Sequence, residues 1–335
     1  MYVLIGASSF IGVHTAREFL NNGSELLVTG RNGKFREYYE SLGVEYVDFD
    51  LASESDIAKL PTEGAEGVIL AAGLLPANAE ADLNEEENAA DYFKLNTIAT
   101  INLLEYCRKN GVKRLLSFSS YADVIESWSA SRALTEEEPR SYRFTGDHAV
   151  YVFSKNACTD VMEYYNQQHG MHNVMFRLPP VIGVGPHGSL LINGVRKKSG
   201  FQIFMDKAVA GETITIYGDG NLARDIVSVK DVAHAVYLAM HSENASGLYN
   251  MTAGRTVTLR EQAEVIAEVF ATDQAHVSDI VLDSSTPNSA PSFLFSMEKA
   301  KRDFGFEPQF KDFRKFMLDY KRDLDAGLYK DLFGY

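Results

Sequence analysis

The chain begins Met1-Tyr2-Val3-Leu4-Ile5-Gly6-Ala7-Ser8-Ser9-Phe10-Ile11-Gly12, and its most informative turn lies inside this stretch. The β-favouring run Tyr2–Ile5 meets a glycine, and a helical pattern from Phe10 to Asn22 follows at once. Glycine at both ends of a G-x-x-x-x-x-G spacing permits a tight turn and lets amides at a helix start approach a pyrophosphate. Ser9 stands at the middle glycine of the fuller G-x-x-G-x-x-G pattern and is still small enough for close approach. Gly6, Ser8, Ser9, Phe10, Ile11 and Gly12 are therefore the candidate phosphate-binding residues.

The same alternation continues through the first half. Short β-rich runs at Glu25–Thr29, Val44–Phe49, Gly67–Ala72, Arg114–Phe118 and Asn173–Arg177 are separated by helical stretches near Asn88–Asn110 and Val150–His169. Such a pattern predicts βαβ units, and hence a doubly wound parallel sheet covered by helices on both faces. After Arg177 the alternation fails in glycine- and proline-rich turns, which predicts a second, smaller α/β lobe. A β-like run with a helix, Asp225–His241, returns the chain to the first lobe. The expected division is a dinucleotide-binding domain of residues 1–179 plus about 225–245, and a substrate lobe of 180–224 plus about 246–335.

Composition sets outer limits. The chain has 335 residues, 45% of them apolar and 23% charged, which suits an ordered globular protein of about two domains. Its net charge of −14 argues against general nucleic-acid binding, because an acidic surface repels phosphate backbones. Cys107 and Cys158 are too few for a disulfide framework, and no apolar stretch reaches the ~20 residues of a membrane span. A cytoplasmic protein without a membrane partner is expected. The acidic stretches at 80–88 and 136–138 and the basic triplet Arg196-Lys197-Lys198 read as solvated segments. His169, His172 and Cys158 fit no zinc spacing, so no metal is expected.

Two further features carry chemistry. The second strand ends in Thr29-Gly30-Arg31-Asn32 with no acid to hold a ribose 2′-hydroxyl, and Arg31 tilts the expected cofactor from NAD toward NADP. Tyr151 and Lys155 stand four apart, on one face of a helix. A lysine charge there favours phenolate and would let Tyr151 exchange a proton with a substrate hydroxyl. A hydroxyl at the end of Arg114–Phe118 would steady the developing oxyanion, with Ser120 as first choice and Ser119 as reserve.

With these features in order, the chain resembles the extended short-chain dehydrogenase/reductase family, and within it the nucleotide-sugar epimerase and dehydratase group with its Rossmann fold. Asp50-Leu51 resembles the family's adenine-contacting acid, Ala71-Ala72-Gly73 its strand end beside the nicotinamide ribose, and Asn96 its helix asparagine. Gly218-Asp219-Gly220-Asn221 and Arg224 to Val232 are similar to the family's GDG…RDFVHVDDV segment, which implies that Arg224 holds a substrate diphosphate. The resemblance implies that Tyr151 takes the sugar hydroxyl proton and Lys155 holds the nicotinamide ribose and lowers the tyrosine pKa. Ser120 would then share the substrate oxygen. It also implies a homodimer built on the Asn88–Asn110 and Val150–His169 helices.

The chain departs from the family in two places that bear on the reaction. Tyr121-Ala122 stand where its dehydratases carry an Asp-Glu pair, and Pro180 replaces the asparagine of R-x-F-N-V-Y-G in Arg177-Leu178-Pro179-Pro180-Val181-Ile182-Gly183. The expected function is an NAD(P)-dependent nucleotide-sugar epimerase of the UDP-sugar 4-epimerase kind. The alternatives are an NADPH-dependent carbonyl or keto-sugar reductase, and a non-catalytic dinucleotide-binding sensor.

Overall fold

The computed structural model describes residues 1–335 apart from 77–88, 130, 147, 187, 193–194, 274, 288–290 and 335, so the acidic stretch 80–88 lies outside the described residues. The first half runs β1 (Tyr2–Ile5), α1 (Phe10–Asn21), β2 (Leu26–Gly30), α2 (Gly33–Ser41), β3 (Glu45–Asp48), β4 (Gly67–Leu70), α3 (Ala89–Tyr92), α4 (Ala99–Lys109), β5 (Leu115–Ser120), α5 (Ala149–His169) and β6 (Val174–Leu178). The second half continues with β7 (Val181–Ile182), β8 (Ser189–Ile192), β9 (Val195–Lys198), α6 (Gly200–Ala210), β10 (Ile214–Tyr217), β11 (Ala223–Asp225), β12 (Val227–Ser228), α7 (Val229–His241) and β13 (Gly247–Asn250). It ends in β14 (Thr256–Thr258), α8 (Leu259–Phe270), β15 (Ile280–Asp283), α9 (Glu298–Phe304), α10 (Phe313–Asp325) and α11 (Lys330–Phe333).

Seven parallel strands form the main sheet in the order β13-β6-β5-β4-β1-β2-β3. This is the expected doubly wound Rossmann-type architecture. Alternation along β1 explains the layering: Tyr2 and Leu4 pack with Val13, Phe19, Val232 and Val236 of α1 and α7, while Val3 and Ile5 pack with Leu103, Leu104, Cys158 and Met162 of α4 and α5. A separate core, including Met205, Ile216, Ile266 and Phe316, holds α6, α8, α10 and β10 together.

Three local readings change. The helix α2 was not expected, because only Phe35 and Tyr39 are buried on it and one i,i+4 pair is too short a stripe to read. The helix expected over Asn88–Asn110 is interrupted by a π-turn at Phe93–Ile98. The return segment expected to end near 245 extends to Asn250, because β13 pairs with β6 and completes the large sheet.

Buried polar groups tie the excursions to the sheet. Arg177, wholly buried, donates to Asp123 Oδ2 at 2.8 and 3.0 Å and to Asn250 Oδ1 at 3.0 Å. Asp225 accepts from Thr252, Phe295 N and Ala253 N, and its burial pushes the carboxyl up to about 7. Asp231 accepts from the amides of Gln309 and Phe310 and is pushed up to about 6, again chiefly by burial.

On α1, His14 is buried with Nε2 3.0 Å from the Val184 carbonyl, and burial pulls it down to about 4. A histidine depressed from ~6.5 contributes stability above its unfolded pKa that is lost as pH falls through the folded one. Between pH 7 and pH 4 the stability advantage of the wild type over His14→Gln, which keeps an N–H donor, should shrink by about 3 kcal/mol. Urea denaturation at the two pH values measures this.

Candidate active site

The strand order reverses between β1 and β4, and ligand clefts of open α/β sheets lie at such switch points. Gly6 leaves β1 at φ +86°, where a Cβ would stand 2.6 Å from the Ala72 Cβ. Only glycine lets the turn pass the end of β4. A Cβ on Gly12 would run into the Gly6 carbonyl oxygen. Ser9 caps α1, its Oγ accepting from Gly12 N at 3.0 Å.

A cleft of about 770 Å³ opens here. Gly6, Ser8, Ser9, Phe10 and Ile11 line it at the start of α1, where first-turn N–H groups lack intrahelical acceptors. Arg31, Asp50 and Leu51 also line it, with Arg31 Nη1 3.4 Å from Asp50 Oδ2 in an exposed ion pair. So do Ala71, Ala72 and Gly73 after β4, and Ser119, Ser120, Tyr151 and Lys155. The cleft thus gathers most of the candidates read from sequence.

Three candidates lie elsewhere. Gly12 sits behind the turn. Asn96 is buried behind the wall, accepting from Leu74 N at 2.8 Å and donating to Leu74 O and Ser154 Oγ at 3.0 Å. It belongs to the π-turn and ties the loop after β4 to α5. Arg224 does not line this cleft. It is on β11, paired with Val257 and bridged to Phe293, and its buried Nε has no hydrogen-bond partner.

The electrostatics of Tyr151 and Lys155 differ from expectation. Both are buried, and burial pushes the Tyr151 phenol well above its ordinary range, with Cys158, Tyr121 and Tyr92 adding to the rise. Burial also pulls Lys155 down. In the protein alone, desolvation outweighs the expected help of the lysine charge. Ser120 Oγ accepts from Ala122 N at 3.2 Å, capping a 3₁₀ turn over Tyr121–Ser127.

Sequence reasoning missed several lining residues: Tyr121, His148, Leu178 and Val181. Their signal was position: Tyr121 directly follows β5, Leu178 ends β6, Val181 begins β7 and His148 immediately precedes the helix that carries Tyr151. Pro179 lines the cleft as well, which makes this end of it apolar. Among the described residues no group of three or more His, Cys, Asp or Glu side chains is arranged to hold a metal. No described helix is long and apolar enough to cross a membrane.

A seven-stranded parallel sheet with its cleft at the strand-order switch defines a Rossmann-type α/β protein. The model of the NAD dependent epimerase/dehydratase family, a family of enzymes, matches residues 2–252, and the chain belongs to that family. It is 28% identical over 317 residues to a dTDP-4-dehydro-6-deoxy-D-allose reductase from a Streptomyces species, covering 92% of this chain and 91% of that one. It is 25% identical over 273 residues to a putative UDP-glucose 4-epimerase from Methanocaldococcus jannaschii, covering 79% and 81%. The crystal structure of Thermus thermophilus UDP-glucose 4-epimerase in complex with NAD superposes with a TM-score of 0.71 at 25% identity, covering 96% of this chain and 99% of that one.

Tyr151 should remain protonated well into alkaline pH. The absorbance difference near 295 nm between the ligand-free protein and Tyr151→Phe should stay flat up to about pH 10. A phenolate signal below pH 9 would show that Lys155 dominates instead.

Proposed function

We propose that the protein is an NAD(P)-dependent nucleotide-sugar epimerase acting in the manner of a UDP-sugar 4-epimerase. The carrying observation is the single cleft lined both by the Gly6–Ile11 turn and by Tyr151 and Lys155. Family membership and the epimerases among its relatives support the reading.

The cleft suits a dinucleotide by its glycine-packed floor, by the N-terminus of α1 and by the Arg31–Asp50 pair. Gly6, Ser8, Ser9, Phe10, Ile11 and Gly12 would form the pyrophosphate cradle, Asp50 and Leu51 would flank the adenine, and Ala71–Gly73, Asn96 and Lys155 would frame the nicotinamide ribose. A nicotinamide held there supplies a hydride acceptor and then a donor. In the protein alone desolvation keeps the Tyr151 phenol protonated. With that desolvation offset by the Lys155 charge together with the positive charge of an oxidised nicotinamide, Tyr151 would take the proton of the substrate hydroxyl and return it. Ser120, or Ser119 beside it, would hydrogen-bond the same oxygen. Epimerisation also needs the nucleotide to be gripped while the sugar turns. Arg224, on the substrate lobe of 180–224 and the residues after β13, is the proposed diphosphate anchor.

Arg31 supports NADP over NAD. The proposal extends to a homodimer packed through the Asn88–Asn110 and Val150–His169 stretches, on which Phe93, Ile98 and Tyr164 are exposed, and to a cytoplasmic protein with both thiols free.

A keto-sugar reductase is the second reading, favoured by the Streptomyces relative, by Arg31 and by Pro179-Pro180. An epimerase recycles its cofactor and a reductase consumes it. Incubation with UDP-glucose and UDP-N-acetylglucosamine should yield the 4-epimers without added cofactor being consumed, and Tyr151→Phe should lower kcat by about 10²–10⁴-fold. Consumption of NADPH stoichiometric with reduction of a nucleotide 4-keto sugar, with neither UDP-sugar epimerised, would favour the reductase. Arg31→Ala should weaken NADP binding by about ten-fold and leave NAD binding within two-fold, as calorimetry would measure.

A further inference from the structure

Tyr121 directly follows β5 and lines the cleft with Ser119, Ser120 and Tyr151. Its ring is stacked on Trp128 at 4.8 Å with an interplanar angle of 4°, and it packs on Phe293 at 5.1 Å. Trp128 Nε1 also donates to the Tyr121 carbonyl at 3.1 Å, so one residue fixes both ring and backbone. Phe293 is bridged to Arg224, which brings the second lobe against the same ring.

The phenol of this clamped ring is uncommitted. Among the described residues its oxygen makes no hydrogen bond, yet it is not one of the sealed polar atoms left unsatisfied in the interior. Its surroundings give it two electrostatic neighbours. Burial pushes the Tyr121 phenol up while the Arg224 charge pulls it down, and Tyr121 in turn contributes to the rise at Tyr151. The hydroxyl of Ser120 accepts from Ala122 N, which ties its oxygen to the following turn and leaves its O–H as a donor beside the Tyr121 phenol. A phenol is also a stronger hydrogen-bond donor than a serine alcohol and reaches farther from its backbone.

We propose that Tyr121 is a second substrate-facing phenol, which donates a hydrogen bond to the oxygen on the reacting carbon alongside Tyr151. The inference rests on the nucleotide-sugar reading above. Tyr121 then adds a second donor beside the strand-end serine, and the Trp128–Phe293 sandwich holds it in place before substrate arrives.

Tyr121→Phe removes the hydroxyl and keeps the stack. Steady-state kinetics are measured for whichever reaction the native enzyme catalyses, epimerisation of UDP-sugars or NADPH-dependent reduction of a nucleotide 4-keto sugar. The expected result is a kcat lower by about a hundred-fold, with KM within about three-fold and an unchanged melting temperature. A kcat within two-fold of native overturns the role of Tyr121 and leaves the functional reading intact. A loss of activity matched by a fall of several degrees in melting temperature also overturns it, by assigning the hydroxyl a structural part. A native enzyme that neither binds nor turns over any nucleotide sugar overturns the functional reading itself.

Discussion

Where β1 hands over to α1, the backbone passes so close to the end of β4 that there is no space for a side chain. Gly6 is pressed toward Ala72, and Gly12 toward the Gly6 carbonyl. That close approach brings the helix start down to the sheet at the floor of the cleft. It also aims Phe10 and His14 at the second lobe. A Cβ on Gly185 would lie 2.5 Å from the Phe10 ring, and His14 meets the Val184 carbonyl. One steric constraint therefore shapes the proposed cofactor cradle and sets how the loop after β7 lies against it.

Much of this was legible because the relevant signals are local. The Gly6–Gly12 turn and the alternation of β1 to β6 depend on residues a few positions apart, and so does the Tyr151/Lys155 spacing. What was not legible depends on distant partners. The ring of Tyr121 is placed by Trp128 and by Phe293, the latter more than 170 positions away, and no local pattern announces that contact. The pairing of β13 with β6 is likewise a tertiary fact. The charge state of Tyr151 turned on how completely the pair is desolvated, a quantity that spacing alone does not contain.

The lobes are joined by polar groups that are costly to leave unsatisfied. Asp225 and Asp231 each spend a buried carboxyl on backbone amides of later segments, while Arg177 ties the turn after β5, through Asp123, to the end of β13, through Asn250, within the main sheet. Breaking one partner would strand a buried charge, a penalty of several kcal/mol. Such contacts are directional, which hydrophobic contact is not. They hold the second lobe at a defined orientation over the cleft.

The seventh strand has a consequence for how the protein is made. On the ribosome, β1 to β6 emerge first, and β6 leaves the exit tunnel with one edge unpaired. That edge waits while some seventy residues of intervening chain, from β7 to α7, are synthesised before β13 arrives to cover it. An unpaired strand edge is a template for pairing with other chains. The nascent protein is thus most exposed to mispairing during that interval, and the order of its strands makes completion of the sheet one of the later events of its synthesis.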